Sequence, residues 1–109
     1  MLKIDVDKIA FIITKSRKFE AEAPAPARTD ATYDELKSWI GAINHDDQCQ
    51  IVALAWVGRG DFAKEDWDEA LKIARHEHNN RTAEYFLGMP LLPDYLEDGL
   101  SQFELSYAQ

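Results

Sequence analysis

The stretch Ile51-Val52-Ala53-Leu54-Ala55-Trp56-Val57 decides the fold class, because seven consecutive apolar residues suit either a buried strand or a helix that is hydrophobic on every face. Its flanks favour the helix. Asp46 and Asp47 supply a start, Gln48 to Gln50 extend the segment past the usual length of a strand, and Gly58 supplies a C-cap. A third helix, beginning at about Asp47, is therefore predicted at the centre of a compact all-α bundle of four to six helices.

Working outward toward the N-terminus, Asn44-His45-Asp46-Asp47 interrupts the chain with residues that favour turns and N-caps. Before it, Leu36, Trp39, Ile40 and Ile43 share one face of a second helix, whose start is marked by Thr32 and Glu35 at capping-box spacing. Residues 22–31, with Pro24 and Pro26 among alanines, cannot continue a helix and have little to pack, so they read as an exposed linker. A first helix from Asp5 to about Ala21, capped by Asp5 or Asp7, presents Ile9, Ile12, Ile13, Ser16 and Phe19 on one face.

On the C-terminal side, Gly58-Arg59-Gly60-Asp61 reads as a helix connection in which the glycines permit positive φ and Asp61 caps the next helix. Trp67, Ala70, Leu71, Ala74, His78, Arg81, Thr82 and Tyr85 then form one stripe, consistent with one long helix over residues 64–87. Asn79-Asn80 is its weak point, since Asn competes for backbone hydrogen bonds and could divide it in two. Gly88 and Pro90 end the stretch, and a short last helix comes after them, with Pro93 in its first turn and Gly99 near its end; residues 101–109 read as a frayed tail. The predicted core comprises Ile9, Ile13, Leu36, Ile40, Val52, Ala55, Trp56, Leu71, Ala74, Tyr85, Leu92 and Leu96.

At 109 residues the chain is too short to divide into two adequate cores, so residues 1–100 are taken as one domain. Twenty acidic against twelve basic residues give a net charge of -8, which disfavours nucleic acid and anionic membrane surfaces as partners and leaves another protein, or a second copy, electrostatically easier. Cys49 is the only cysteine, which excludes an intrachain disulfide and suits a reducing interior. The apolar run Ile9 to Ile13 is too short and wrongly flanked for an export signal or a membrane span, so a cytoplasmic location is expected.

Two strings carry a resemblance: Val52-Ala53-Leu54-Ala55-Trp56-Val57-Gly58-Arg59-Gly60-Asp61, and the run from Arg81-Thr82-Ala83-Glu84-Tyr85 through Gly88-Met89-Pro90 to Asp98-Gly99-Leu100. With Trp67 and the segment between, residues from about Tyr33 to Leu100 resemble a bacterial, largely proteobacterial family known as domain of unknown function 3775. The resemblance implies a bacterial, cytoplasmic helical domain and no particular chemistry.

No residue set points to catalysis. His76-Glu77-His78 and His45-Asp46-Asp47 offer ligand types, but His76 and His78 stand about 200° apart on a helix, and the position one turn after His76 is Asn80, so no metal and no cofactor are expected. His78 instead falls on the apolar stripe, where a neighbouring hydroxyl or carboxylate can satisfy it. Cys49 sits at a helix start that could lower its pKa, against which Asp46 and Asp47 act. Arg59-Gly60-Asp61 matches a receptor-binding tripeptide, but three residues match easily by chance.

Arg59 and Arg81 each lie among aromatic and acidic residues, where a forked guanidinium could bind a carboxylate or phosphate, or tie two helix ends together. A non-enzymatic protein-interaction module is the first functional reading, motivated by the acidic charge and by more Trp and Tyr than a core this size can hide. The second is a small-ligand or metal-binding domain using Arg59, His78, Arg81 and Tyr85, which requires those four side chains to converge on one cavity.

Overall fold

In the computed structural model, which describes residues 5–22, 31–79, 81–89 and 91–105, the apolar run lies inside helix α3 (His45–Arg59). Five helices surround it: α1 (Val6–Glu22), α2 (Ala31–Ala42), α4 (Trp67–Glu77), α5 (Thr82–Leu87) and α6 (Leu92–Gln102), with a 3-10 turn at Lys64–Asp66 and no strand among the described residues. Every residue from Asp47 to Ala55 is buried, as is Val57, and α3 packs chiefly against α6 and α4. An all-apolar helix is stable here because it meets neighbours on all its faces, each fully buried Ile, Leu or Val contributing roughly 1.5–3 kcal/mol.

The ends of α3 are fixed locally. The Asn44 side chain accepts the Asp47 backbone N–H at 2.8 Å, so the helix starts two residues earlier than the Asp47 pattern suggests. The stop is Gly60, in the left-handed region at φ 95°, whose N–H donates to the carbonyls of Trp56 and Val57. Gly58, expected as the cap, is still helical and serves another purpose. A Cβ there would overlap the Tyr95 carbonyl oxygen of α6 and stand 3.0 Å from the Gly99 nitrogen. Gly99, expected near the end of the last helix, lies inside α6, and a Cβ on it would lie 2.6 Å from the Leu54 carbonyl oxygen. The two glycines let the backbones of α3 and α6 touch.

Helix α1 begins where Asp5 accepts the Asp7 N–H on its side chain and the Lys8 N–H on its carbonyl. Ile9, Ile12, Ile13 and Ser16 are buried as its period requires, whereas the Phe19 side chain lies outside the described residues. Lys8 reaches Asp47 at 2.6 Å, and Arg17 reaches Asp94 and Glu97 of α6 at 3.0 and 2.6 Å, which ties α1 to both central helices. Of the predicted linker, residues 23–30 also lie outside the described residues. Helix α2 starts at Ala31, before Thr32, and the Glu35 carboxylate pairs with Lys15 at 2.9 Å.

The stripe over residues 64–87 is broken into the 3-10 turn, α4 and α5. Asn79 causes the break by capping α5. Its carbonyl accepts the Thr82 N–H and hydroxyl, and its side-chain oxygen accepts the Arg81 N–H at 2.7 Å. Nor does Asp61 cap the next segment: its carboxylate takes Arg59 Nε and Nη2 at 2.9 and 2.5 Å, and the 3-10 turn starts at Ala63 without a side-chain cap. Helix α6 runs through Gln102, and Phe103 packs edge-on against the buried Trp67 at 5.4 Å between ring centres.

Nine of the twelve predicted core residues are buried. Trp56 and Leu71 are half-buried, and Tyr85 is 46% exposed. The break at Asn79 rotates α5 off the line of α4, so one continuous stripe no longer runs along a single helix. Arg81 changes sides for the same reason, its side chain being 75% exposed rather than inward.

Candidate functional site

The break also creates the cavity. Helix α4 and α5 meet at an elbow against one face of α3, and a cavity of about 400 Å³ lies between them. Cys49, Val52 and Trp56 line it from α3, at spacings of three and four that place them on one face. Ala74 and Glu77 of α4, His78 and Asn79 of the elbow, and Arg81, Thr82 and Tyr85 complete the wall. Its floor is apolar and its rim polar.

Three of the four side chains expected to converge therefore do so: His78, Arg81 and Tyr85. Arg59 stands behind the rim. Its guanidinium is held by Asp61, whose bond raises its already high pKa further, with the Tyr85 oxygen nearby. Trp56 Nε1 donates to the same Tyr85 oxygen at 2.9 Å. That oxygen thus accepts the indole N–H, and its hydroxyl proton is left for an outside acceptor.

His78 is positioned by Gln48, not by the hydroxyl or carboxylate the sequence suggested. The buried Gln48 side-chain nitrogen lies 2.9 Å from the Ile40 carbonyl and 3.2 Å from that of Ile43, at the end of α2. Those acceptors fix the amide so that its oxygen faces His78 Nε2 at 2.7 Å. Nε2 must then carry the proton, and Nδ1 of the neutral ring keeps its lone pair. The His45 ring packs 4.4 Å away. Burial first, and His45 second, push the His78 pKa below its ordinary 6.5, so the ring is neutral near pH 7.

The Cys49 thiol is also neutral. Burial is the larger cause of its raised pKa and Asp46 the next, with Arg75 acting the other way. Arg81 donates one Nη2 bond to Glu84 at 3.2 Å, and Glu84 also faces Lys37 at 4.0 Å. The Arg81 bond, the Arg81 charge and Lys37 hold the Glu84 carboxyl below its usual range. Among the described residues no three His, Cys, Asp or Glu side chains are grouped to hold a metal ion.

The sequence stripe found His78, Arg81 and Tyr85 but not the wall opposite. Val52 reads as ordinary core and Cys49 as a thiol at a helix start, and nothing in the pattern marks Gln48 as the partner of a residue thirty positions away. No helix among the described residues is long and apolar enough to cross a membrane.

These features define an all-α domain with one half-open cavity at a helix elbow. The family described as protein of unknown function (DUF3775) matches residues 33–105, and the chain belongs to it. The match covers α2 to α6, and so the whole cavity. No curated protein and no solved structure matches the chain.

Proposed function

We propose that the domain binds a small molecule in the cavity between α3, α4 and α5. One observation carries the reading: an apolar floor of Cys49, Val52, Ala74 and the Trp56 ring is rimmed by polar side chains from the end of α4, the elbow and α5, His78, Arg81 and Tyr85 among them. Sites for small molecules have this makeup, a mostly apolar hollow of about 300–1,000 Å³ with a few convergent polar groups. The test is a fragment screen read by nuclear magnetic resonance at the Trp56 indole N–H. Binding should shift that resonance, and Ala74→Leu, which fills the cavity from α4, should abolish the shift. Fragments that bind equally well to the filled variant would refute the assignment.

A protein-interaction role is the second reading, favoured by three large apolar side chains left in solvent, Tyr85 at 46%, Leu91 at 49% and Leu105 at 36% exposure. A second copy of the chain or another protein would be the partner. Light scattering of the purified protein and affinity capture, each with wild type and Leu91→Ser, test it; identical results for the two proteins would count against this surface.

A further inference from the structure

Resting on that cavity reading, we infer that the ligand is an aromatic monocarboxylate, its ring against Trp56 and its carboxylate at the Tyr85 hydroxyl and the Arg81 guanidinium. Two donors at the rim are uncommitted. The Tyr85 oxygen already accepts from Trp56 Nε1 at 2.9 Å, and its proton is left to donate. Arg81 spends one Nη2 bond on Glu84 at 3.2 Å, leaving the other N–H groups of the guanidinium fork for an acceptor. A group that only accepts, and that carries negative charge, satisfies both, and a carboxylate matches the geometry of the fork.

The surrounding charges set the ligand's valence. Glu77 lines the cavity, and Glu84 pairs with Arg81 and faces Lys37 at 4.0 Å, so two carboxylates and two cations already balance; a monoanion then adds one uncompensated charge and a dianion such as a phosphate monoester two. The floor sets the body. Val52, Ala74 and a neutral Cys49 offer no strong polar partner, and the half-buried Trp56 ring lines the same hollow.

The experiment uses the full chain and three probes of one shape, phenylacetate, phenylacetamide and phenethylamine, titrated while the Trp56 indole N–H is monitored by nuclear magnetic resonance. Phenylacetate should bind about tenfold more tightly than the amide, as expected when a neutral acceptor becomes a charged one. The amine should bind most weakly. Arg81→Gln and Tyr85→Phe should each bring phenylacetate down to the amide's affinity while leaving the amide's own affinity within about twofold. Equal affinity for all three probes, or preference for the amine, overturns the carboxylate inference and leaves the cavity reading in place. If no probe perturbs Trp56 at millimolar concentration and no fragment does so either, both fail.

Discussion

Replacing Gly58 with alanine should unfold the domain far more readily than its single added methyl group suggests. Within a helix the change from Gly to Ala is favourable by about 1 kcal/mol, because Gly loses more backbone freedom on folding. At Gly58 that gain is overwhelmed. The new Cβ would overlap the Tyr95 carbonyl oxygen, with the Tyr95 carbonyl carbon at 2.6 Å and the Gly99 nitrogen at 3.0 Å. All three atoms are backbone of α6 and none can rotate aside, so α6 must move away from α3 as a body. Moving it opens the most extensive helix contact in the fold, where Leu54, Leu96 and Leu100 are completely buried. Overpacking of a tight core costs about 1–3 kcal/mol when flexible side chains can adjust, and a backbone contact belongs at or above the top of that range. We expect Gly58→Ala to cost about 3 kcal/mol net of its propensity gain. Gly41 is the internal control: it lies exposed in α2 with nothing within 4 Å of its would-be Cβ, so Gly41→Ala should stabilise by roughly 0.5–1 kcal/mol. Urea denaturation monitored by circular dichroism gives both values. A Gly58→Ala protein as stable as Gly41→Ala would refute the close crossing of α3 and α6.

Three other substitutions probe the site and its supports. Gln48→Leu removes the amide that serves the Ile40 and Ile43 carbonyls and the His78 N–H, and should cost about 2–3 kcal/mol by denaturation because buried partners are left unsatisfied. Asn44→Ala removes the cap of α3 and should cost about 1 kcal/mol in the same assay. His78 has a folded pKa below its ordinary 6.5, so the unfolded chain takes up the proton first; stability should be constant above that pH and fall as pH drops through 6.5 toward the folded value. His78→Gln should flatten that part of the stability profile, and an unchanged slope would show that other groups cause it.

Much of the helix order was legible because burial on one face leaves a period in the sequence. Ile9, Ile12 and Ile13, then Leu36 and Ile40, and the run from Ile51 to Val57 apart from the half-buried Trp56 are buried as the pattern predicts. Capping chemistry was legible too, in Asn44 and in Asn79, whose habit of competing for backbone hydrogen bonds divides α4 from α5. What periodicity cannot carry is the angle between segments after a break. Arg81 and Tyr85 fall on an inward stripe only if the helix continues, and once Asn79 turns the chain they face the rim and the solvent. The purpose of Gly58 was hidden for a related reason. A glycine near a helix end reads as a stop, and only the arrival of α6, forty residues later in the chain, shows that the missing side chain makes room for another backbone.

The contact through Gly58 and Gly99 also determines where the molecule can yield. Two helices whose backbones touch at Gly58 and Gly99 cannot be pressed closer together, and the Cys49, Val52 and Trp56 side of the cavity is carved into one of them, α3. The opposite side is built from α4, which packs on α3, and from α5, which rests on α2 and on Lys37 through Glu84. Helix α5 is the shorter and less extensively packed of the two, so a guest too large by one ring should displace Thr82 and Tyr85 before it displaces Val52.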